Sequence, residues 1–280
     1  MMVQEAPEGQ PRFVSTMQEH NRFCADIARV FGNDRFEPPE PREQVLFVIG
    51  NHDRGWDDWD SHPGLDAKTN LPCGLTNTPI PVAIQTNRGS PDFNERHHAY
   101  CGLLSSMHTY GLYHARLGVS EFRVRPGSSL SVPINPQFEA ETKAMLDGEL
   151  ARQERLKSSL REDPVSGRWV EEKHLMQNYK QLQFFDTLTL YFHLRHPGTR
   201  AEERYVHVPL DCERDTDIVL RPVGNGTYSF APFPFAGDGL EVICRGRYVA
   251  PFPPDAEPAD VGAALTALPT VEQKVTFVPG

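Results

Sequence analysis

The residues best suited to chemistry in this chain are histidines and aspartates set among apolar neighbours. His20 stands three residues after Met17 and four before Cys24, on a stripe continued by Ile27, Ala28 and Phe31. His52 and Asp53 follow Val45, Val48 and Ile49 at helical spacings, and His108 extends a stripe of His97, Cys101 and Leu104. Asp186 interrupts the run Leu175, Tyr179, Leu182, Thr189 and His193. One of these alone reads as a hydrogen-bonded core residue. Together they predict several polar groups on buried faces, and a buried carboxylate beside histidines is costly unless something compensates its charge. A cation does so, and imidazole with carboxylate suits a divalent transition metal.

The elements that must carry these residues follow from periodicity and punctuation. A helix is expected over 16–31, with Ser15 as N-cap, Gln18 as its capping partner and Gly32 as the stop. A second runs from Pro41 through His52 and Asp53 and is apolar nearly all round. Residues 55–92 read as a long irregular loop, and Trp56 and Trp59 argue that it is ordered and roofs the site. Helices follow over 94–113, over a charged stretch at 136–160, and over 171–194. After residue 203, short β-like runs such as YVHVPL, DIVLRPV and LEVICRGRYV alternate with Pro and Gly turns.

Composition bounds the function. The 280 residues carry a formal net charge of −10, which disfavours nucleic acid and anionic membrane as partners. There is no apolar run near membrane-spanning length and no basic, apolar leader, so the cytoplasm is the expected location. The five cysteines are widely spaced with no C-x-x-C, which argues against a disulfide framework and a thiolate zinc site; they are expected to act as small buried apolar residues. Fingerprints for a P-loop, a dinucleotide fold, a nucleophile elbow and a zincin are absent.

His20, His52-Asp53 and Asp186, in that order, resemble the HD superfamily of metal-dependent phosphohydrolases. More locally, NHDRGWDDWD, the P-x-L-D at 63–66 with T-N-x-P at 76–79, LLSSMH, LQFFDTLTLYF and APFPF resemble the uncharacterised domain-of-unknown-function family 3891. His193 stands where a family member often has Cys, and residues 138–160 look like an insertion. The resemblance implies a mainly α, HD-like helical bundle holding its metal between helices. Residues 1–203 would form that metal-binding domain, and 204–280 a β-rich C-terminal addition packed on it.

On this reading His20, His52, Asp53, His108 and Asp186 are the metal ligands, and Arg54, His108 and Gln183 the groups that would act on substrate. Arg54 would hold an anion, His108 protonate a leaving group, and Gln183 bond a metal-bound water. Other histidines (His62, His97, His98, His114, His174) are weaker candidates. His97 and His108 lie ~16 Å apart along a helix, too far to serve two ions ~3.5–4 Å apart, so one ion is expected: Mn, Mg, Zn or Fe. The expected reaction is metal-activated hydrolysis of a small anionic phosphate ester or nucleotide. An iron oxygenase and a non-catalytic, metal-stabilised binding module remain as alternatives.

Overall fold

The computed structural model describes residues 1–280, the side chain of Pro258 excepted. The chain opens with two short strands, β1 (Met2–Val3) and β2 (Arg12–Ser15). Helices α1 (Met17–Ala28), α2 (Arg42–Ile49), α3 (Asp57–Ser61), α4 (Ile80–His97), α5 (Ala99–Tyr113), α6 (Glu139–Arg161) and α7 (Glu172–Leu194) follow. Strands β3 (Glu203–Pro209), β4 (Asp215–Gly224), β5 (Thr227–Ala231) and β6 (Leu240–Val249) lead to α8 (Pro258–Ala267) and β7 (Val271–Pro279).

The expected mainly α bundle is not what forms. About 47% of the chain is helical and 18% strand, with a seven-stranded mixed sheet ordered β1-β2-β6-β7-β5-β4-β3. β5 and β7 run parallel, and the other pairs are antiparallel. The sheet draws strands from both ends of the chain, because Arg12, Phe13 and Val14 pair with Val249, Tyr248 and Arg247. Helices α1 and α7 pack on it, against β6 and β3 respectively. One core cluster runs from Met2 and Phe13 through Ile27, Leu104 and Phe185 to Phe230 and Phe277, so sheet and helices share a single apolar interior. Full burial of each such side chain stabilises the fold by ~1.5–3 kcal/mol.

Local chemistry explains where the elements start and stop. Ser15 does not cap α1, because it lies in β2 and its hydroxyl donates to the Arg245 carbonyl at 2.6 Å. Thr16 caps instead: its hydroxyl accepts from Glu19 N at 3.1 Å, and the Glu19 carboxylate accepts from Thr16 N at 2.8 Å. Helix α2 ends at Ile49, four residues short of Asp53, so His52 and Asp53 ride on the turn that follows. Asp53 has φ −107° and ψ 24°, the bridge region favoured by many active-site residues. The expected loop 55–92 contains α3 and most of α4. Pro81 is tolerated in the first turn of α4 and Pro91 within it, so prolines that suggested a loop lie inside a helix.

Candidate metal centre

Four helical or near-helical segments deliver polar side chains to one buried spot. His20 comes from α1, His52 and Asp53 from the turn after α2, His108 from α5, and Gln183, Asp186, Thr189 and His193 from one face of α7. His20 and His52 are 0% exposed, His108 and Asp186 3%, and Asp53 9%, so Asp53 is the member closest to solvent. His20 Nε2 lies 3.3 Å from Asp186 Oδ1, and His52 Nε2 lies 3.5 Å from Asp53 Oδ2 and 3.7 Å from Asp186 Oδ1. The His52 ring sits edge-on to those of His20 and His108, with centroids 5.4 and 5.0 Å away.

Hydrogen-bond polarity assigns the imidazole tautomers. His52 Nδ1 lies 2.8 Å from the Ile49 carbonyl, which can only accept, so Nδ1 carries a proton. Nε2 then faces the cluster, buried and without a hydrogen-bond partner. Thr189 donates its hydroxyl to the Asp186 carbonyl at 2.9 Å and presents lone pairs to His20 Nδ1 at 3.3 Å, which leaves His20 Nε2 turned toward Asp186. His108 differs. Arg116 can only donate, so the Gln183 atom 2.6 Å from it is Oε1, and the Gln183 amide nitrogen donates to His108 Nδ1 at 3.0 Å. The remaining proton of neutral His108 is therefore on Nε2. His52, Asp53 and His108 lie within 4.8 Å of one another through one ligand atom each, so proximity admits His108 as a ligand, while in this hydrogen-bond arrangement its Nε2 carries the proton.

Arg116 is the cluster member that sequence reasoning missed. Its Nη1 donates to Asp186 Oδ2 at 2.9 Å, and the residue is 4% exposed. It reaches inward from a turn in which Ala115, Arg116 and Leu117 all have positive φ, of 50°, 53° and 55°. Such φ values cost ~1–2 kcal/mol per non-glycine residue and persist only when the surroundings hold them. Nothing in the HARLG segment distinguishes this arginine from a surface one. A cysteine expected only as a small buried apolar residue also lies at the centre: Cys24 Sγ is 3.7 Å from His20 Nε2. It sits one turn after His20 on the same face of α1, a spacing visible in the sequence.

The electrostatics follow from burial and charge. Burial pushes the Asp186 carboxyl up, but the Arg116 guanidinium and the adjacent His20 and His52 imidazoles outweigh this and hold it well below the usual range. Burial raises Asp53, which His52 offsets only in part. Burial disfavours charge on His52 as well, yet the Asp53 and Asp186 carboxylates lift that imidazole to about 9. Burial drops His108 and His193 to about 3, so both are neutral. Without a metal, Arg116 is thus the main counter-charge of Asp186, and the two carboxylates favour the protonated form of His52.

The remaining sequence-predicted residues lie elsewhere. Arg54 pairs with Asp57 at 2.9 Å, lies over the Phe93 ring, and lines a surface cleft of 750 Å³ with Arg22, Asn51 and His97. His97 stacks on Phe47, His98 caps α5 by accepting from Tyr100 N, His62 and His114 are exposed, and His174 is half-buried. His193 donates through Nδ1 to the Thr189 carbonyl, with its Nε2 3.4 Å from Cys244 Sγ, so it is a satisfied core residue.

Fold and cluster together define an α/β protein with a buried His/Asp/Arg centre on the seam between its helices. A family model described as "Protein of unknown function (DUF3891)" matches residues 1–251, and the chain belongs to that family. No curated protein and no solved structure matches it. Among the described residues, no helix is long and apolar enough to cross a membrane.

Proposed function

We propose that this protein is a metal-dependent hydrolase of small phosphate esters or nucleotides, with one divalent ion held by His20, His52, Asp53 and Asp186. The observation that carries the reading is His52 Nε2. It is a buried ring nitrogen with no hydrogen-bond partner, set between two carboxylates. Bonds of ~2.0–2.1 Å to nitrogen and oxygen at a tetrahedral angle put the two donors ~3.3 Å apart, and the His20 Nε2 to Asp186 Oδ1 separation is 3.3 Å. The order His, His-Asp, Asp resembles that of the HD-type phosphohydrolases and supports the same chemistry on this α/β architecture.

Charge supports an anionic substrate. A divalent ion replaces the His52 proton and, with Arg116, outweighs the two carboxylates by one positive charge. A hydroxide, a phosphate oxygen or a further anionic ligand offsets it. The ion would acidify its water and polarise a phosphoryl oxygen. Arg116 holds Asp186 in place and supplies positive charge beside the reacting group. His108, with its proton on Nε2, is the group to protonate a leaving oxygen, and Gln183 fixes that tautomer.

The test is to chelate the purified protein, reload it with Mn, Zn, Fe or Mg, count ions by mass spectrometry, and assay phosphate release from a panel of phosphomonoesters and nucleotides. One ion per chain is expected, with phosphate release that disappears in His52→Ala and Asp186→Ala. One ion without turnover would favour a non-catalytic metal-stabilised module, and two irons would favour oxygen chemistry. Failure to retain any ion refutes the metal reading.

A further inference from the structure

We propose that Cys24 Sγ is a further ligand to this ion, making the centre a mixed thiolate, imidazole and carboxylate site that selects zinc, cobalt or iron over magnesium. The assignment rests on reading the centre as a metal site, and it adds a residue that neither the HD-like order nor the family description names.

Three observations converge on Cys24. Its Sγ and one ring nitrogen each of His20 and His52 all lie within 4.8 Å of one another, and all three residues are wholly buried. The unpartnered His52 Nε2 belongs to a residue of this same group. The Cys24 Sγ to His20 Nε2 distance is 3.7 Å. Zinc bonds of ~2.3 Å to sulfur and ~2.0–2.1 Å to nitrogen, at the ~110–120° angles of a four- or five-coordinate ion, place those atoms ~3.6–3.8 Å apart.

Burial and the Asp186 carboxylate push the Cys24 thiol well up, so without an ion it keeps its proton, and the Thr189 hydroxyl is the side chain placed to favour the thiolate. Thr189 Oγ1 lies 2.9 Å from Cys24 Sγ, and a hydroxyl can turn to donate to a sulfur anion. The hydroxyl now donates to the Asp186 carbonyl and faces His20 Nδ1, so one side chain touches three members of the centre. On binding, the metal–sulfur bond replaces the S–H bond and the proton passes to the buffer. A soft thiolate biases the site toward zinc, cobalt and iron, and away from hard ions that prefer oxygen.

The test uses the full chain, chelated and titrated with Co(II). Visible ligand-field bands report cobalt binding, and a near-ultraviolet charge-transfer band reports a sulfur–cobalt bond. The wild type is expected to show both, and Cys24→Ser to keep the visible bands while losing the charge-transfer band. Visible bands with no charge-transfer band, or a charge-transfer band that survives in Cys24→Ser, overturn the assignment and leave the metal reading standing. No cobalt spectrum at all overturns both. If Cys24→Ser does not fold, zinc-edge X-ray absorption on the wild type decides: one sulfur at ~2.3 Å supports the assignment, and a shell of nitrogen and oxygen alone overturns it.

Discussion

Replacing Arg116 with Met removes a buried cation while leaving an unbranched side chain on the same left-handed turn, so backbone strain is carried over and the change isolates charge. The guanidinium lies 2.9 Å from the Asp186 carboxylate, with both side chains at most 5% exposed. At that distance and an effective dielectric near 20, the attraction is about 6 kcal/mol. Relaxation and water entry return part of it, and breaking buried pairs in this way costs ~3–5 kcal/mol. For a chain of this size that is on the order of 10 °C in melting midpoint. The assay is urea unfolding of the chelated protein at pH 7, followed by tryptophan fluorescence, with Trp56 buried in the core. Asp186→Asn and the double variant complete the cycle, because Arg116 also bonds Gln183 and only the coupling reports the ion pair. The sign with pH follows from Asp186, whose folded pKa is depressed. Its stabilising contribution is present above the unfolded carboxylate value of ~3.9 and is lost as pH falls through the folded value. A loss below ~1 kcal/mol for Arg116→Met, or a coupling within ~0.5 kcal/mol of zero, refutes the view that Arg116 is the counter-charge of the centre.

Other outcomes follow from the same geometry. Chelator should lower the melting midpoint of the wild type and leave Asp53→Ala unmoved, since that variant has lost a ligand; equal shifts in both would place the metal elsewhere. His52 in the metal-free protein is raised to about 9, so the stability it contributes is present below its unfolded value of ~6.5 and is lost as pH rises through 9. The metal must displace that proton, so affinity measured by competition with a chelator should climb at least about tenfold per pH unit up to 9 and rise less steeply above it; a flat profile counts against His52 as a ligand. Gly55→Ala should destabilise by ~1–3 kcal/mol in urea unfolding, because a Cβ there would sit 2.1 Å from the Thr86 carbonyl and 2.6 Å from Ser90 N, both backbone atoms of α4. A neutral result would mean that the turn carrying His52 and Asp53 is not held against α4.

Much of the centre was legible in the amino-acid pattern because burial has a periodicity. His20, His108, Gln183 and Asp186 interrupt apolar stripes on helices, and a stripe identifies its own buried face without knowledge of its partner. The adjacent His52-Asp53 pair was legible for the same reason, although α2 ends before it and a turn carries it inward. The sheet was less so. β1 and β2 span two and four residues, too short for an alternating pattern to stand out, and the pairing of β2 with β6 depends on residues more than 200 positions away. Pro81 and Pro91 concealed α4 because a proline's local cost is offset by packing that only the assembled helices supply.

What the sequence determined by itself is therefore the set of polar side chains condemned to burial, and so the need for compensating charge. Only the tertiary structure decided which charge answers it. Arg116 is brought to Asp186 from a left-handed turn at 115–117 that no local preference favours, and Cys24, already one turn from His20 on α1, joins the centre because Thr189 and His52 close around both. The tautomer of His108 likewise depends on the chain from Arg116 through Gln183, three residues from three separate segments. Periodicity records which face of an element is dry. Pairing between elements is set by distances of a few ångströms across the core, and these have no counterpart in local sequence.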